Sequence, residues 1–362
     1  MDEARAATEN PATTLSPHTP YFNLPQLDRL LHAITAAPTK NHKTPPQPPI
    51  LELTSQSSGS GKTNILYLLV AQAVLPTSRE GSQSTAIILD TDNLFSVSRL
   101  AAQVRLQIRL HALKILSTSL TKEAAQQIED GDIKQVVSSA LRHVHIFRPQ
   151  SLVSTVATLD SLPNYLFDKS KHFSFDRRVG LLALDSASAF YWLEKAEEED
   201  AAFLAATSSI REPQGQKPPG AKTVSEYTAL ATALKSASKV FSCPVVITTW
   251  HLGPTASTAQ FHAGSSSSSS RSLRPSLPAP MATLPTLRLV MQRKAVRKFP
   301  PGVRVEEALR EAGDRLKAVE EGRFEANVCE WGVEERTLAE LKRLGGGFGL
   351  KIGREGVVVE EG

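Results

Sequence analysis

The chain predicts an α/β fold: a mostly parallel, twisted sheet with helices on both faces and further strands added at its C-terminal end. From Ile50 onward, apolar runs of strand length alternate with longer stretches at helical spacing, which is the mark of parallel strands joined by crossover helices. Four of the first five strand-length runs are almost continuously apolar, as expected where a sheet is covered on both sides. With 362 residues, 41% apolar and 22% charged, the chain has a globular balance and ample length for a buried core.

The first fifty residues are rich in Pro, Thr and Asn. Residues 1–49 read as a mostly disordered lead-in ahead of one domain over 50–362. One amphipathic helix interrupts the lead-in, with Leu24, Leu27, Leu30, Leu31 and Ile34 on one face, Pro25 in its first turn and Pro38 beyond its end. That face could pack on its own domain or on a neighbouring subunit, with the first slightly favoured. ILELT, TAIILDTD, HVHIFRP, GLLALDSASAF and PVVITTW then read as strands. Lys62–Leu75, Leu94–Leu116, Lys122–Arg142, Leu152–Phe167 and Val224–Phe241 read as the helices between them. Two long loops are expected at 194–223, acidic at its start, and at 253–286, where Ser265 to Ser270 and four prolines cluster. Past Leu287, LRLVMQRKAV, FEANVCEW, FGLKIG and GVVVEE read as four strands with a charged helix inserted at Val305–Glu321, an antiparallel extension of the sheet.

Composition excludes several classes. No run of eighteen uncharged apolar residues exists and the N-terminus lacks the pattern of a secretory leader, so a soluble intracellular protein with no membrane partner is expected. Cys243 and Cys329 are far apart, which suggests neither a disulfide framework nor a zinc site. A net charge of +4 permits nucleic-acid contact without arguing for it. His143 and His145 alternate on a strand with no company that would make them metal ligands, and structural roles are expected.

Gly59, Ser60, Gly61, Lys62 and Thr63 follow a strand directly and open a helix. A phosphate-cradling loop requires that context, because glycines turn backbone N–H groups inward and the helix N-terminus adds positive potential. Lys62 would reach the β- and γ-phosphates of ATP, and Thr63 would offer its hydroxyl to Mg²⁺. The spacing GxxxxGK[ST] asks for glycine at Gln56. Asp185, at the end of GLLALD, is placed to hold the same metal, or alternatively to cap the next turn. Asp90 and Asp92 stand two apart at the end of another strand. Asp92 could orient a water for hydrolysis or cap the helix that follows.

SSGSGKTNILYLL, IILDTDNLFSVSRL and LLALDSASAFYWLEK, in this order, resemble the eukaryotic RecA-type strand-exchange recombinases. DTD followed by Phe95 and Arg99-Leu100, with DSASAFYW, is most similar to the DNA-repair recombinase paralogues of that family. The resemblance runs from about Leu51 to Trp250. It implies a RecA-like ATP-binding core acting with Mg²⁺, in which Lys62 and Thr63 stand as the Walker A pair and Asp185 as the Walker B carboxylate. It further implies homologous-recombination repair of DNA in the nucleus, with another recombinase paralogue, the main recombinase and single-stranded or branched DNA as partners. Asp92 falls where active recombinases place a catalytic Glu, and Trp250 where they usually place a Gln that senses the γ-phosphate. An indole N–H donates once and cannot accept. The departures at Gln56, Asp92 and Trp250 all touch the nucleotide machinery, leaving binding expected and efficient hydrolysis not.

Three readings stay open at this level: an ATP-binding scaffold, a DNA-dependent ATPase using Asp92 and Lys62, and a small-molecule kinase. DNA contact has a weak footprint. The family's two DNA-facing loops here carry Glu194, Glu197, Glu198, Glu199 and Asp200 in the first, and Arg271, Arg274, His251 and His262 in the second. A denser group, Arg288, Arg293, Lys294, Arg297, Lys298 and Arg304, reads as a solvated strand face more readily than as a DNA track. Phe190, Tyr191 and Trp192 read as core and rim aromatics.

Overall fold

A computed structural model describes residues 20–35, 47–118, 130–208, 221–251, 272–294 and 302–360. It contains a nine-stranded, mostly parallel sheet. The strands are β1 (Ile50–Ser55), β2 (Thr85–Asp90), β3 (Val144–Phe147), β4 (Val179–Asp185), β5 (Val245–Trp250), β6 (Leu287–Arg293), β7 (Arg323–Val328), β8 (Gly347–Ile352) and β9 (Val357–Val359). Their order across the sheet is β3-β2-β4-β5-β1-β6-β7-β8-β9. Pairing is parallel from β3 through β6 and antiparallel from β6 to β9. The C-terminal strands thus extend the sheet as an antiparallel meander, and the order is consistent with a RecA-like core.

Two helical layers cover the sheet. On one face lie α1 (Pro25–Thr35), α2 (Lys62–Val74), α3 (Val97–Thr118), α4 (Asp130–Leu141) and α10 (Glu335–Arg343). On the other lie α5 (Leu152–Leu166), α7 (Ala221–Phe241) and the short α8 (Ala279–Ala282). Successive strand residues feed opposite layers, as the period of two demands: Leu51 and Leu53 join the first core, Ile50 the second, and Ile87 and Ile88 part in the same way. The remaining helices are α6 (Tyr191–Ser208) and α9 (Val305–Glu320).

The amphipathic helix of the lead-in folds back on its own domain. Leu27, Leu30 and Leu31 are buried, and α1 packs on α10 and β8. The Asp28 carboxylate secures its entry by accepting the backbone N–H groups of Tyr21, Phe22 and Leu24, each at 3.0 Å. The rest of the expected disordered lead-in, 1–19 and 36–46, lies outside the described residues.

Several expectations need correction. The loop expected at 194–223 is helical through Ser208, and α7 resumes at Ala221; only 209–220 lie outside the described residues. The acidic run continues the helix because Lys222 pairs with Glu194 (3.3 Å), Glu197 (2.9 Å) and Glu226 (3.7 Å), while Thr223 donates to Glu198. The loop expected at 253–286 is not wholly exposed: Leu273, Leu277, Met281 and Leu284 are buried and anchor its last part. The Ser-rich part lies outside the described residues. Of the helix expected over Lys122–Arg142, residues 122–129 also lie outside them. Helix α10 was not expected at all.

Arg288 does not belong to a surface cation cluster. Its Nε donates to Glu52 Oε2 at 2.6 Å and its Nη2 to the Ala282 carbonyl at 2.9 Å, both side chains being buried. Glu52 accepts from Thr249 with its other oxygen at 2.6 Å. Arg293 and Lys294 are exposed, whereas Arg297 and Lys298 lie outside the described residues.

His143 and His145 take structural roles at the start of β3. The Ser174 hydroxyl bonds to His143 Nδ1 and to His145 Nε2, both at 2.9 Å, and Tyr165 bonds to His145 Nδ1 at 2.9 Å. Burial, with His172 and His143 nearby, holds His145 down to about 4.

Two outcomes follow for stability. Arg288→Met leaves the Glu52 carboxylate buried without its cation and costs about 3–5 kcal/mol, whereas the double change Arg288→Met with Glu52→Leu recovers much of the loss, as denaturant titration will show. On acidification, the unfolded chain takes up a proton at histidine's ordinary value of 6.5 that folded His145 refuses until about pH 4. Stability therefore falls as pH drops through that window, by up to about 3 kcal/mol, and His145→Gln flattens this part of the pH profile.

Candidate functional site

The candidate site lies where β1, β2, β4 and β5 end together, at the carboxyl edge of the parallel strands, the usual ligand position in open α/β sheets. Residues 56–61 leave buried β1, turn sharply and enter α2. Gly59 and Gly61 have φ of 70° and 91°, which explains glycine at both. Gln56 has no such φ, so this turn does not require glycine there. A Cβ on Gly61 would stand 2.7 Å from Ile352 and 3.3 Å from Phe324, so the C-terminal meander backs the loop directly.

Helix α2 begins without a side-chain cap and without an acidic residue in its first turn. Its leading N–H groups and positive dipole end are thus left for an anion. Lys62 is buried, donates to the Ser55 hydroxyl, and holds its ammonium 4.7 Å from the centroid of the Trp250 ring. Ser55 and Ser60 in turn donate to the Ser57 carbonyl at 3.0 and 3.1 Å, which braces the loop. Burial lowers Lys62 to about 8, against the raising effect of Asp185 and Asp92.

Asp185 closes β4. It accepts from Thr248 of β5 and from the Thr63 hydroxyl at the start of α2. Burial raises its carboxyl above the ordinary range, and the Asp92 charge adds to this. Asp92 is also raised, first by burial and then by Asp90, while Ser186 and Lys62 oppose the shift. The geometry therefore brings Lys62, Thr63, Asp185 and Asp92 into one cluster.

Asp90 acts on the cluster only through its charge; its own contacts hold the adjoining turn. It accepts from the N–H groups of Leu94 (3.0 Å) and Phe95 (3.2 Å) and pairs with Arg148 at 3.3 Å. The capping role weighed for Asp92 falls instead to Ser96, whose hydroxyl accepts the Arg99 N–H at 3.4 Å at the start of α3, while Asp90 holds the turn that leads into it. The β2 and β4 tips are tied together by Thr91, whose hydroxyl donates to the Ser186 carbonyl at 2.7 Å.

Beside the cluster, Asp92, Ser186, Ser188, Ala189, Trp192, Trp250 and His251 line an open cleft of about 370 Å³. Trp192 is 62% exposed there, whereas Phe190 and Tyr191 pack against the second core. Sequence reasoning had no means of finding Ser55 as the Lys62 acceptor. Its one clue was a buried strand ending in a hydroxyl. Of the cations in the second expected DNA loop, Arg274 is exposed, and Arg271 and His262 lie outside the described residues.

The residues present suit a magnesium nucleotide. Thr63 and Asp185 are a hydroxyl and a carboxylate already in contact, the donor set Mg²⁺ prefers, next to an uncapped helix start. Among the described residues, no group of three or more His, Cys, Asp or Glu forms a metal centre, and no helix is long and apolar enough to cross a membrane.

No protein-family model matches the chain. Over 146 residues it is 27% identical to the DNA repair protein XRCC2 of Mus musculus, a match covering 40% of this chain and 42% of that protein. The chain is thus a distant relative of a DNA repair protein, matched over less than half of that relative's length.

The contact between Lys62 and Trp250 is measurable. As the ammonium loses its proton, the cation beside the indole disappears. Tryptophan fluorescence is expected to titrate with a midpoint near pH 8, and Lys62→Met or Trp250→Phe is expected to abolish the transition.

Proposed function

We propose that this chain is an ATP-binding subunit of a recombinase-paralogue complex in homologous-recombination DNA repair, acting in the nucleus to assist the main recombinase on single-stranded DNA. The observation that carries the reading is the convergence of Lys62, Thr63 and Asp185 on one uncapped helix start. The similarity to a DNA repair protein supplies the biological direction. In this reading, the backbone of Gly59 to Thr63 cradles the phosphates and Lys62 turns from Ser55 and Trp250 to meet them. Thr63 and Asp185 hold Mg²⁺, which supplies charge neutralisation at the phosphate oxygens.

Turnover is slow in this reading. Asp92 has the shorter reach of Asp, and Trp250 cannot both donate to and accept from a phosphate and a water. A DNA-dependent ATPase is the second reading, favoured by one observation. Burial raises the Asp92 carboxyl, which moves it toward the range of a general base.

Nucleotide binding is the first test. Lys62→Ala is expected to weaken binding of Mg²⁺-ATP by about ten- to a hundredfold, the worth of hydrogen bonds to a charged group, and calorimetry will measure it. Because a bound phosphate favours the ammonium, affinity is expected to fall as pH rises above about 8. Rapid DNA-stimulated turnover by the lone chain would replace the scaffold reading with the enzyme reading. Affinity purification from cells that recovers no recombinase-like subunit would remove the complex.

A further inference from the structure

A second surface stands at the other end of the sheet. The segment 167–178 links α5 to β4 at the amino edge of the parallel strands, about 20 Å from the nucleotide site at the ordinary rise of seven strand residues. Phe173 is 74% exposed and Phe175 49% exposed, whereas Ser174 between them is buried. The segment is not loosely held. Ser174 is buried on His143 and His145, and its backbone N–H donates to His172 Nδ1 at 3.0 Å. The rings are therefore displayed from a fixed base, and water contact costs each of them the burial energy it would gain elsewhere.

The charges around the rings are mainly positive. The Arg142 guanidinium lies 5.5 Å from the centroid of Phe173, and the exposed Lys169 and Lys171 precede the rings. Asp168 is engaged by Ser170 and Lys171, leaving Asp176 as the exposed carboxylate of the segment that bonds to neither. Aromatic faces set among cations are what a flexible polyanion with stackable bases recognises: the rings take the bases and the cations track the phosphates. A duplex hides its base faces, so rings that stack on bases select a single strand.

We propose that Arg142, Lys169, Lys171, Phe173 and Phe175 form a single-stranded nucleic-acid platform separate from the nucleotide pocket. The stacking and charge chemistry is shared by DNA and RNA; only the choice of DNA rests on the function proposed above.

The test uses the full chain and fluorescence anisotropy with labelled oligo(dT), oligo(rU) and a duplex of equal length, over a range of salt. Phe173→Ala with Phe175→Ala is expected to weaken oligo(dT) binding by about tenfold or more, and Phe173→Tyr with Phe175→Tyr to restore it. Lys169→Gln with Lys171→Gln, both positions being exposed, is expected to weaken binding and to lower its salt dependence. Affinity and salt dependence unchanged in both variants would overturn the platform. So would variants that lose binding to phosphatidylserine vesicles alone, which would assign the patch to a lipid surface, or equal binding of duplex. Tighter binding of oligo(rU) than of oligo(dT) would uphold the platform and overturn the choice of DNA. Mg²⁺-ATP binding, measured on the same variants, separates the two proposals: its absence in the parent chain undoes the proposed function and leaves the platform standing.

Discussion

A lysine held out of water beside carboxylates is the constraint on which the site depends. Lys62 is buried, and burial favours its neutral form, yet Asp185 and Asp92 stand close enough to pull it back toward the charged form. The same burial pushes both carboxylates toward protonation. Each of the three charges is costly here, because desolvating an unpaired ion costs several kcal/mol. Each neighbouring contact reads as a response to that strain: Thr248 and Thr63 donate to Asp185, Ser55 accepts from Lys62, and Trp250 offers its electron-rich face to the ammonium. A phosphate group with its metal would satisfy the same cluster with stronger partners.

The parallel part of the sheet was legible because burial on both faces writes a simple pattern. Runs such as IILD and LLALD have no polar alternation to confuse them. The glycines of the turn and the residues after it were equally plain, since positive φ and an uncapped helix leave a compositional trace. Helix α10 left little trace, with one buried residue, Leu341, among charged neighbours; its clearest marks were Lys342 and Arg343 near the end and glycines just beyond. The acidic stretch after Tyr191 was misread as a loop because its compensating cation, Lys222, comes from another helix.

Arg288 shows where sequence reasoning fails in principle. In the chain it belongs to a crowd of cations; in the fold it faces Glu52, 236 positions earlier on the adjoining strand. Local composition cannot reveal such a partner, because β1 and β6 become neighbours only once the sheet assembles. The histidine pair on β3 was read correctly as structural, but Ser174, which joins the two rings, comes from a connection whose path no periodicity announces.

The loop that carries the glycines is not supported by the first two thirds of the chain alone. Phe324 and Ile352, both from the antiparallel meander, press against the back of Gly61. A premature stop codon between Trp250 and Ile352 would spare every residue of the Lys62 cluster and still remove part of the wall behind it. Alleles of that kind should be scored as lesions of the pocket itself, even though the text of its motifs survives intact.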